Sequence, residues 1–127
     1  MPMPVKTFSD YGANFGFMMS ELPGRASREQ PVLAPTTVTL KAGTVLGLVT
    51  ATGQYKPLAP AASDGTQNAI AILAIGKPAS TKVQRCTIGA RGFEAAGRML
   101  IWPTGITDVQ KKAAEAQLGA KNILVRY

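Results

Sequence analysis

The sequence predicts an α+β fold class that is mostly β: a small β-rich domain with one short helix near its C-terminus and an extended N-terminal arm. Apolar runs at residues 43–52 and 69–75 are bounded by Gly and Pro and are too short for typical helices, which favours buried strands. Residues 107–118 begin with a helix-capping pattern. Residues 1–31 contain Pro and Gly at a density that argues against a regular element.

The 127 residues are one domain by size, and we divide them into an arm at residues 1–31 and a β-rich domain at residues 32–127. The arm is too apolar to be a simple disordered tail. Two interpretations remain open. The arm orders on the surface of a partner, which we expect, or it packs back on its own domain. The apolar side chains of the arm are Phe8, Tyr11, Phe15, Phe17, Met18, Met19 and Leu22.

The first half of the domain predicts three strands. Residues 36–40 alternate between threonine and apolar residues, which predicts a half-exposed strand with Val38 and Leu40 on one face. The runs at 43–52 and 69–75 are the central pair of strands. Between them we predict a turn at residues 52–54 and a polar loop that ends in a tight turn at Asp64 and Gly65.

The second half predicts two more strands and the helix. Residues 82–90 form a strand with Cys86, Ile88 and Ala90 on one face, and the chain ends in a strand at 122–127. Between them, Pro103 stops a short apolar segment at 99–102. Thr107 and Gln110 form a capping box, and Gly119 is the predicted C-terminal cap. The predicted apolar stripe of the helix is Ile106, Val109, Ala113 and Ala116.

The aromatic content of 6% predicts a core of Val, Ile, Leu and Ala. Such a core is thin, and oligomerisation is a natural way to bury more apolar surface. Trp102 lies between apolar neighbours, and we assign it to the core or to an interface rather than to a ligand site.

The net charge of +7 allows an acidic partner, either nucleic acid or an anionic protein surface. The 14 Lys and Arg residues are scattered along the chain, which is more typical of a solvated surface. A small basic β module that binds nucleic acid stays the alternative function. It would place stacking aromatic residues on strands beside clustered cations.

The residue types argue against catalysis, and we expect no enzyme activity, cofactor or metal. The sequence has no histidine, and Cys86, the only cysteine, therefore has no imidazole to activate it. Cys86 is predicted to be a small buried hydrophobic residue. We see no secretory signal and no apolar run near the roughly 18 residues of a membrane span, so we expect the chain to stay in the cytoplasm or in a particle assembled there.

Two stretches carry a resemblance to a known family. The first is the order GTVLG–VTATG–Y–P–PAASDGTQ–A–AIL within residues 43–73. The second is the run LIWP at residues 100–103, followed by a short charged helix, a glycine and a C-terminal apolar strand. In these features the chain resembles the head decoration proteins of tailed phages, such as the decoration protein of phage lambda, over roughly residues 25–127.

The resemblance implies a structural protein that binds the outer surface of an expanded phage head as a homotrimer at local three-fold positions. It would stabilise the head against packaged DNA, with the major capsid protein and itself as partners and neither nucleic acid nor membrane bound directly. The implied location is the outer capsid surface of the virion, and the host cytoplasm during assembly. The N-terminal segments of such proteins order on the capsid, in part by adding a strand to it.

Two sets of site residues follow from the arm and from the resemblance. The predicted capsid-binding residues are Phe8, Tyr11, Phe15, Phe17, Met18, Ser27, Arg28, Glu29, Gln30 and Val32. The residues predicted to lie in the trimer interface or the core are Leu46, Leu48, Trp102 and Pro103.

Overall fold

The computed structural model describes residues 13–24 and 26–127. The chain is mostly β with a helix near the C-terminus, so the predicted fold class is confirmed. A short 3-10 turn, Gly97–Met99, follows the ninth strand. The elements are β1 (Met18–Glu21), β2 (Arg28–Glu29), β3 (Val32–Leu33), β4 (Val45–Val49), β5 (Gln54–Pro57), β6 (Ala71–Leu73), β7 (Gln84–Arg85), β8 (Ile88–Gly89), β9 (Phe93–Ala96), α1 (Asp108–Gly119) and β10 (Ile123–Arg126).

The larger sheet closes on itself into a barrel. Its strand order is β2-β8-β6-β4-β5-β3-β7. Arg28 lies opposite Gly89, and Val32 lies opposite Arg85. Moving four residues toward the C-terminus on the first segment therefore corresponds to moving four residues toward the N-terminus on the second, so both pairs share one antiparallel register. Residues 28–33 and 84–89 are therefore one antiparallel ladder, and the two ends of the sheet meet there. Counted this way, the described residues give the barrel five strands, and among these β3 and β5 pair in parallel while the other neighbours are antiparallel.

Side chains alternate between the inside and the outside of this barrel, as the pleat of a strand requires. In β6, Ala71 and Leu73 belong to one buried cluster, whereas Ile72 between them belongs to another. Leu46 is fully buried in the first cluster, which assigns it to the core rather than to a surface interface. The cluster inside the barrel is Leu33, Leu40, Leu46, Ala71, Leu73, Cys86, Ile88 and Ala90.

A second core lies between the barrel and a small sheet with the order β1-β9-β10. Strand β1 is antiparallel to β9, β10 is parallel to it, and α1 packs on β10. Phe17 is 1% exposed, and its ring centroid is 5.9 Å from that of Phe93. The cluster is Phe17, Val45, Leu58, Ala69, Ile72, Ala74, Phe93, Ala95, Leu100, Ala114, Leu118 and Ile123.

The capping box of the helix is confirmed. The Thr107 hydroxyl oxygen accepts a hydrogen bond from the Gln110 backbone N–H at 3.1 Å, and the Gln110 side-chain oxygen accepts one from the Thr107 N–H at 3.0 Å. The predicted end is wrong, because Gly119 is still helical and the left-handed residue is Asn122, with φ of 58°.

The predicted apolar stripe of the helix is also wrong. The buried residues are Ala114 and Leu118, whereas Val109 is 79% exposed and Ala113 and Ala116 are exposed. The physical reason is that alanines lie all round this helix and bury too little area to fix its face. Leu118 is the largest apolar side chain of the helix, and its burial decides the orientation.

The central strands at 43–52 and 69–75 are confirmed as β4 and β6, and the terminal strand is confirmed as β10. The region predicted to be a turn and a loop contains a strand, β5. Its polar residues and Pro57 are not typical of a strand, so the sequence does not indicate it. The predicted strand at 82–90 is divided into β7 and β8, with Cys86, Ile88 and Ala90 buried as expected.

The predicted strand at residues 36–40 is wrong. Only two isolated bridges form there, Thr36 with Ser80 and Leu40 with Lys77, and Val38 is 60% exposed while Leu40 is buried. The Thr36 hydroxyl donates a hydrogen bond to the Val38 carbonyl at 3.0 Å. Local bonds of this kind compete with a strand ladder, which explains the turn.

The predicted turn at Asp64 and Gly65 is confirmed, and it ties a loop onto the barrel. Gly65 has φ of 109°. One Asp64 carboxylate oxygen accepts hydrogen bonds from the Thr66 N–H at 3.0 Å and from the Thr66 hydroxyl at 2.5 Å, and these bonds lower the pKa of Asp64. A Cβ at Gly47 would lie 2.6 Å from the Thr66 Cα, so the glycine in β4 lets this loop lie directly on the strand.

Residues 13–24 of the predicted arm pack on the domain. Phe17 lies in the second core, and β1 is part of the small sheet. The buried Ser27 hydroxyl accepts a hydrogen bond from the Leu22 N–H and donates one to the Gly92 carbonyl, both at 3.0 Å. Packing on the domain, one of the two interpretations left open, describes these residues. The capsid-binding role of residues 1–31 stays a prediction.

Candidate functional site

Two adjoining surface depressions form one groove beside the first described residues of the chain. They share Gln30, Ile75 and Thr87, and their volumes are about 460 and 350 Å³. We call this the Phe15 groove. Four of the predicted capsid-binding residues lie together in it: Phe15, Arg28, Glu29 and Gln30. The complete lining is Phe15, Arg28, Glu29, Gln30, Ile75, Lys77, Arg85, Cys86 and Thr87.

Phe15 is held in an unusual conformation at one end of the groove. Its φ of 57° lies in the left-handed region, which costs a non-glycine residue roughly 1–2 kcal/mol. The Phe15 N–H donates a hydrogen bond to the Ala74 carbonyl at 2.8 Å, and the Met18 N–H donates one to the Phe15 carbonyl at 3.0 Å. The backbone is therefore fixed to the barrel, and the ring is placed at the surface.

Arg28 covers the ring of Phe15. The central guanidinium carbon lies 4.0 Å from the ring centroid, a cation–π contact. The same guanidinium donates two hydrogen bonds to the Glu21 carboxylate, at 3.0 and 2.5 Å. These hydrogen bonds, which Arg28 donates and Glu21 accepts, lower the pKa of Glu21 and raise the pKa of Arg28. We call this end, Glu21–Arg28–Phe15, the clamped half of the groove.

The other end carries two cations, Lys77 and Arg85, and we call it the open half. Arg85 donates one hydrogen bond from Nη1 to the Gln30 carbonyl at 3.1 Å. Among residues 13–24 and 26–127, the ion pairs are Arg28–Glu21 and Arg91–Glu29, so neither Lys77 nor Arg85 is paired there. The wall includes Cys86, whose pKa burial raises to about 11, which keeps the thiol neutral and unreactive.

The remaining predicted capsid-binding residues lie elsewhere. Phe17 is in the second core, and Met18 is half-buried against it. Ser27 is buried, and Val32 is half-buried in β3 opposite Arg85. Phe8 and Tyr11 lie outside the described residues.

Sequence reasoning missed five residues of the groove or its clamp. They come from three separate parts of the chain, which the tertiary structure brings together. Glu21 is seven positions before Arg28, and β1 and β2 belong to different sheets. Arg85 could have been identified only from the pairing of residues 28–33 with residues 84–89. The sequence alone does not show this pairing. The missed residues are Glu21, Ile75, Lys77, Arg85 and Thr87.

One comparison identifies the family. The sequence pattern of the family described as bacteriophage lambda head decoration protein D matches residues 12–123. The chain belongs to this family of phage head decoration proteins. The matched range includes the barrel, strands β1 and β9, the helix and the whole Phe15 groove, and it ends at the first residue of β10. Among individually curated proteins, none matches the sequence significantly.

Membership in the head decoration family has direct consequences. The chain is a structural protein of the phage head and associates with the capsid in the virion. The family is structural rather than enzymatic. In the part of the chain that the structure describes, no cluster of three or more potential metal ligands is present. Within the same residues, no helix has the length and apolar character to cross a membrane.

A second depression on this decoration protein is mainly apolar, and we call it the Trp102 groove. Its volume is about 560 Å³. Two of the residues predicted for the interface or core, Trp102 and Pro103, line it and are half-buried. Leu48, also half-buried, is not part of its lining. The lining is Val38, Thr39, Leu40, Lys41, Thr44, Val45, Pro57, Leu58, Ile101, Trp102, Pro103 and Thr104.

Trp102 has an unsatisfied polar group in this groove. Its indole Nε1 is buried and has no hydrogen-bond partner among the residues that are described. The Lys111 ammonium lies 5.4 Å from the centre of the indole ring and 5.5 Å from that of Tyr127. Buried indole N–H groups usually find an acceptor, so this one is an exception within the described residues.

Proposed function

We propose that the chain binds the outer surface of an expanded phage head as a homotrimer at local three-fold positions and stabilises the shell against packaged DNA. The match to the head decoration family over residues 12–123 is the observation that supports this most strongly. The major capsid protein and two further copies of the chain are the partners. The net charge of +7 speeds encounter with an acidic capsid surface.

The N-terminal segment and the Phe15 groove are the capsid-binding part of this proposal. Phe15, Arg28, Glu29 and Gln30 were predicted from the sequence for this role and share one groove. The first described residue, Ala13, is two positions before Phe15 of this groove. Each such contact is weak, but three on one rigid trimer act together, which raises avidity by roughly 10²–10⁴.

The Trp102 groove is the proposed surface for self-association. Its mainly apolar lining is a feature that a neighbouring chain would complete by covering the surface. Val38 and Ile101 are exposed at this groove, and their burial would add to the trimer interface. Leu46 takes no part, because it lies inside the barrel.

Cryo-electron microscopy of heads assembled without the protein tests the proposal. We expect that adding the purified chain to expanded heads gives protruding density in groups of three at the local three-fold positions. We also expect decorated heads to retain packaged DNA at temperatures where undecorated heads lose it. Absence of bound protein, or density at other symmetry positions, would contradict the proposal.

The alternative of nucleic-acid binding is supported by the net positive charge alone. It needs open aromatic faces beside clustered cations. The face of Phe15 is occupied by Arg28, and Arg28 is itself bound by Glu21. We therefore expect only weak, salt-sensitive association with DNA, measurable by fluorescence anisotropy over a salt series.

A further inference from the structure

We propose that the open half of the Phe15 groove binds an acidic segment of the major capsid protein, with one carboxylate placed between Lys77 and Arg85. This inference rests on the proposed function and names the chemistry of the partner at that site. It concerns two residues, Lys77 and Arg85, that neither the sequence pattern nor the family match singles out.

The first support is the charge that remains after the internal ion pairs are taken into account. Four charged residues line the groove, and the Cys86 thiol is neutral. Arg28 is paired with Glu21, and Glu29 is paired with Arg91 at 2.9 Å. Lys77 and Arg85 have no such pair in the described chain, so the groove presents two cations to its ligand.

The second support is that the backbone of Lys77 and the guanidinium of Arg85 are both held in place by hydrogen bonds. The Lys77 backbone exchanges two hydrogen bonds with Leu40, each 2.8 Å long. The Arg85 guanidinium is oriented by the Gln30 carbonyl through one Nη, which leaves its other N–H groups available. A planar guanidinium with a fixed orientation is suited to a carboxylate, which accepts two hydrogen bonds from it side by side.

The third support is that the other residues lining the open half carry no charge. Ile75 and Thr87 are half-buried and contribute to both depressions. A ligand with a single acidic side chain and apolar or small neighbours fits this lining better than a run of acidic residues. Cys86 adds only a neutral thiol to the wall.

Two other occupants fit less well. A second copy of the chain has a net charge of +7, and two of its seven acidic residues, Glu21 and Glu29, are already in ion pairs. Nucleic acid would need a longer row of cations and a free aromatic face, and Phe15 is covered by Arg28. An acidic segment of the capsid protein needs neither.

A zero-length carbodiimide cross-link tests the identity of the occupant. The reagent joins a lysine amine directly to a carboxylate, so on decorated heads we expect mass spectrometry to find Lys77 linked to an Asp or Glu of the capsid protein. The variant Lys77→Arg keeps the charge and removes the reactive amine. On heads decorated with this variant, we expect no link at position 77 and unchanged links from the other lysines. A link from Lys77 to an acidic residue of this chain would overturn the proposal.

Charge reversal tests the energetic role of the site. We expect the double variant Lys77→Glu/Arg85→Glu to bind heads at least about tenfold more weakly, because each of three copies loses an attraction and gains a repulsion. The matched control, Lys112→Glu/Lys121→Glu, makes the same change in net charge at exposed residues outside the groove. Equal occupancy by both double variants would overturn the inference while the proposed function stands. Failure of the unaltered protein to bind heads would overturn the proposed function itself.

Discussion

The Phe15 groove and the Trp102 groove differ in how their polar groups are satisfied. In the clamped half of the Phe15 groove, every strong polar group has a partner: Glu21 binds Arg28, and Arg28 covers Phe15. In the Trp102 groove the lining is mainly apolar, and the one buried indole N–H has no partner among the described residues. The clamped half of the Phe15 groove is complete in the lone chain, whereas the Trp102 groove leaves an apolar surface uncovered.

This difference suggests which surface meets which partner. A charged surface can stay exposed to water and select its ligand by charge, which suits docking onto a preassembled shell. A mainly apolar surface is costly to expose to water and is better covered by a permanent neighbour. We therefore assign the Phe15 groove to the capsid and the Trp102 groove to self-association in the proposed trimer.

The largest effect is expected from Phe17→Ala, which removes a buried ring from the core that supports both grooves. Phe17 is 1% exposed and packs on Phe93. We expect the free energy of unfolding to fall by about 3–5 kcal/mol, measured by urea denaturation.

Phe15→Ala is the matched control, two residues away on the surface side of the segment. Its ring is half-buried, packs against the second core and contacts Arg28, so we expect a loss of about 1–2 kcal/mol, smaller than that of Phe17→Ala. Similar losses for the two variants would mean that residues 13–24 do not pack in solution as the structure places them.

An intermediate effect is expected from Ile101→Asp at the Trp102 groove. A carboxylate at this exposed apolar position would have to be desolvated at a protein–protein contact, so we expect self-association to weaken at least about tenfold. Sedimentation velocity over a concentration series measures the change. Val109→Asp introduces the same charge at a residue that does not line either groove. If Val109→Asp, and not Ile101→Asp, dissociates the assembly, the helix rather than the Trp102 groove forms the interface.

The smallest effect is expected from acid at the clamped half of the Phe15 groove. The pKa of Glu21 is lowered from its usual value of 4.5 by the hydrogen bonds from Arg28. A lowered folded-state pKa means that the ion pair stabilises the protein fully above about pH 4.5, and that this contribution is lost as the pH falls below that value. The pair is exposed, so the change in stability is small.

Comparison with Glu21→Gln isolates this contribution. We expect the melting temperature of the unaltered chain to exceed that of the variant at pH 7, and the difference to shrink as the pH falls below about 4.5. Glu94→Gln removes a carboxylate that forms no ion pair among the described residues, and it serves as the control. A difference between the unaltered chain and Glu21→Gln that is constant from pH 7 to pH 3 would show that the Glu21–Arg28 pair does not stabilise the clamp.

Most of the fold was predictable where the residues themselves restrict the backbone. The apolar runs of β4 and β6, the turn at Gly65 and the capping box of α1 are all local patterns, and all are confirmed. Predictions failed where side chains carry little information. The alanines of α1 do not define its buried face, and Thr36 forms local hydrogen bonds with Val38 where a strand was predicted.

The candidate site was predictable only in part. Phe15, Arg28, Glu29 and Gln30 lie close in sequence and were chosen from the arm and the family resemblance. Lys77 and Arg85 lie about fifty residues further along, and no local pattern distinguishes them from the other scattered cations. Phe17 shows the converse. Its apolar character was evident, but whether it packs on a partner or on its own domain depends on the distant Phe93.

The sequence by itself determined the class of fold, the positions of the central strands, the start of the helix and the resemblance to the head decoration family. These follow from hydrophobic periodicity and from backbone preferences that act over a few residues. Tertiary structure decided the closure of the barrel, the face of the helix and the separation of paired from unpaired charges. Each of these depends on which distant segments meet, as residues 28–33 and 84–89 do, and such pairing is settled by burial across the whole chain.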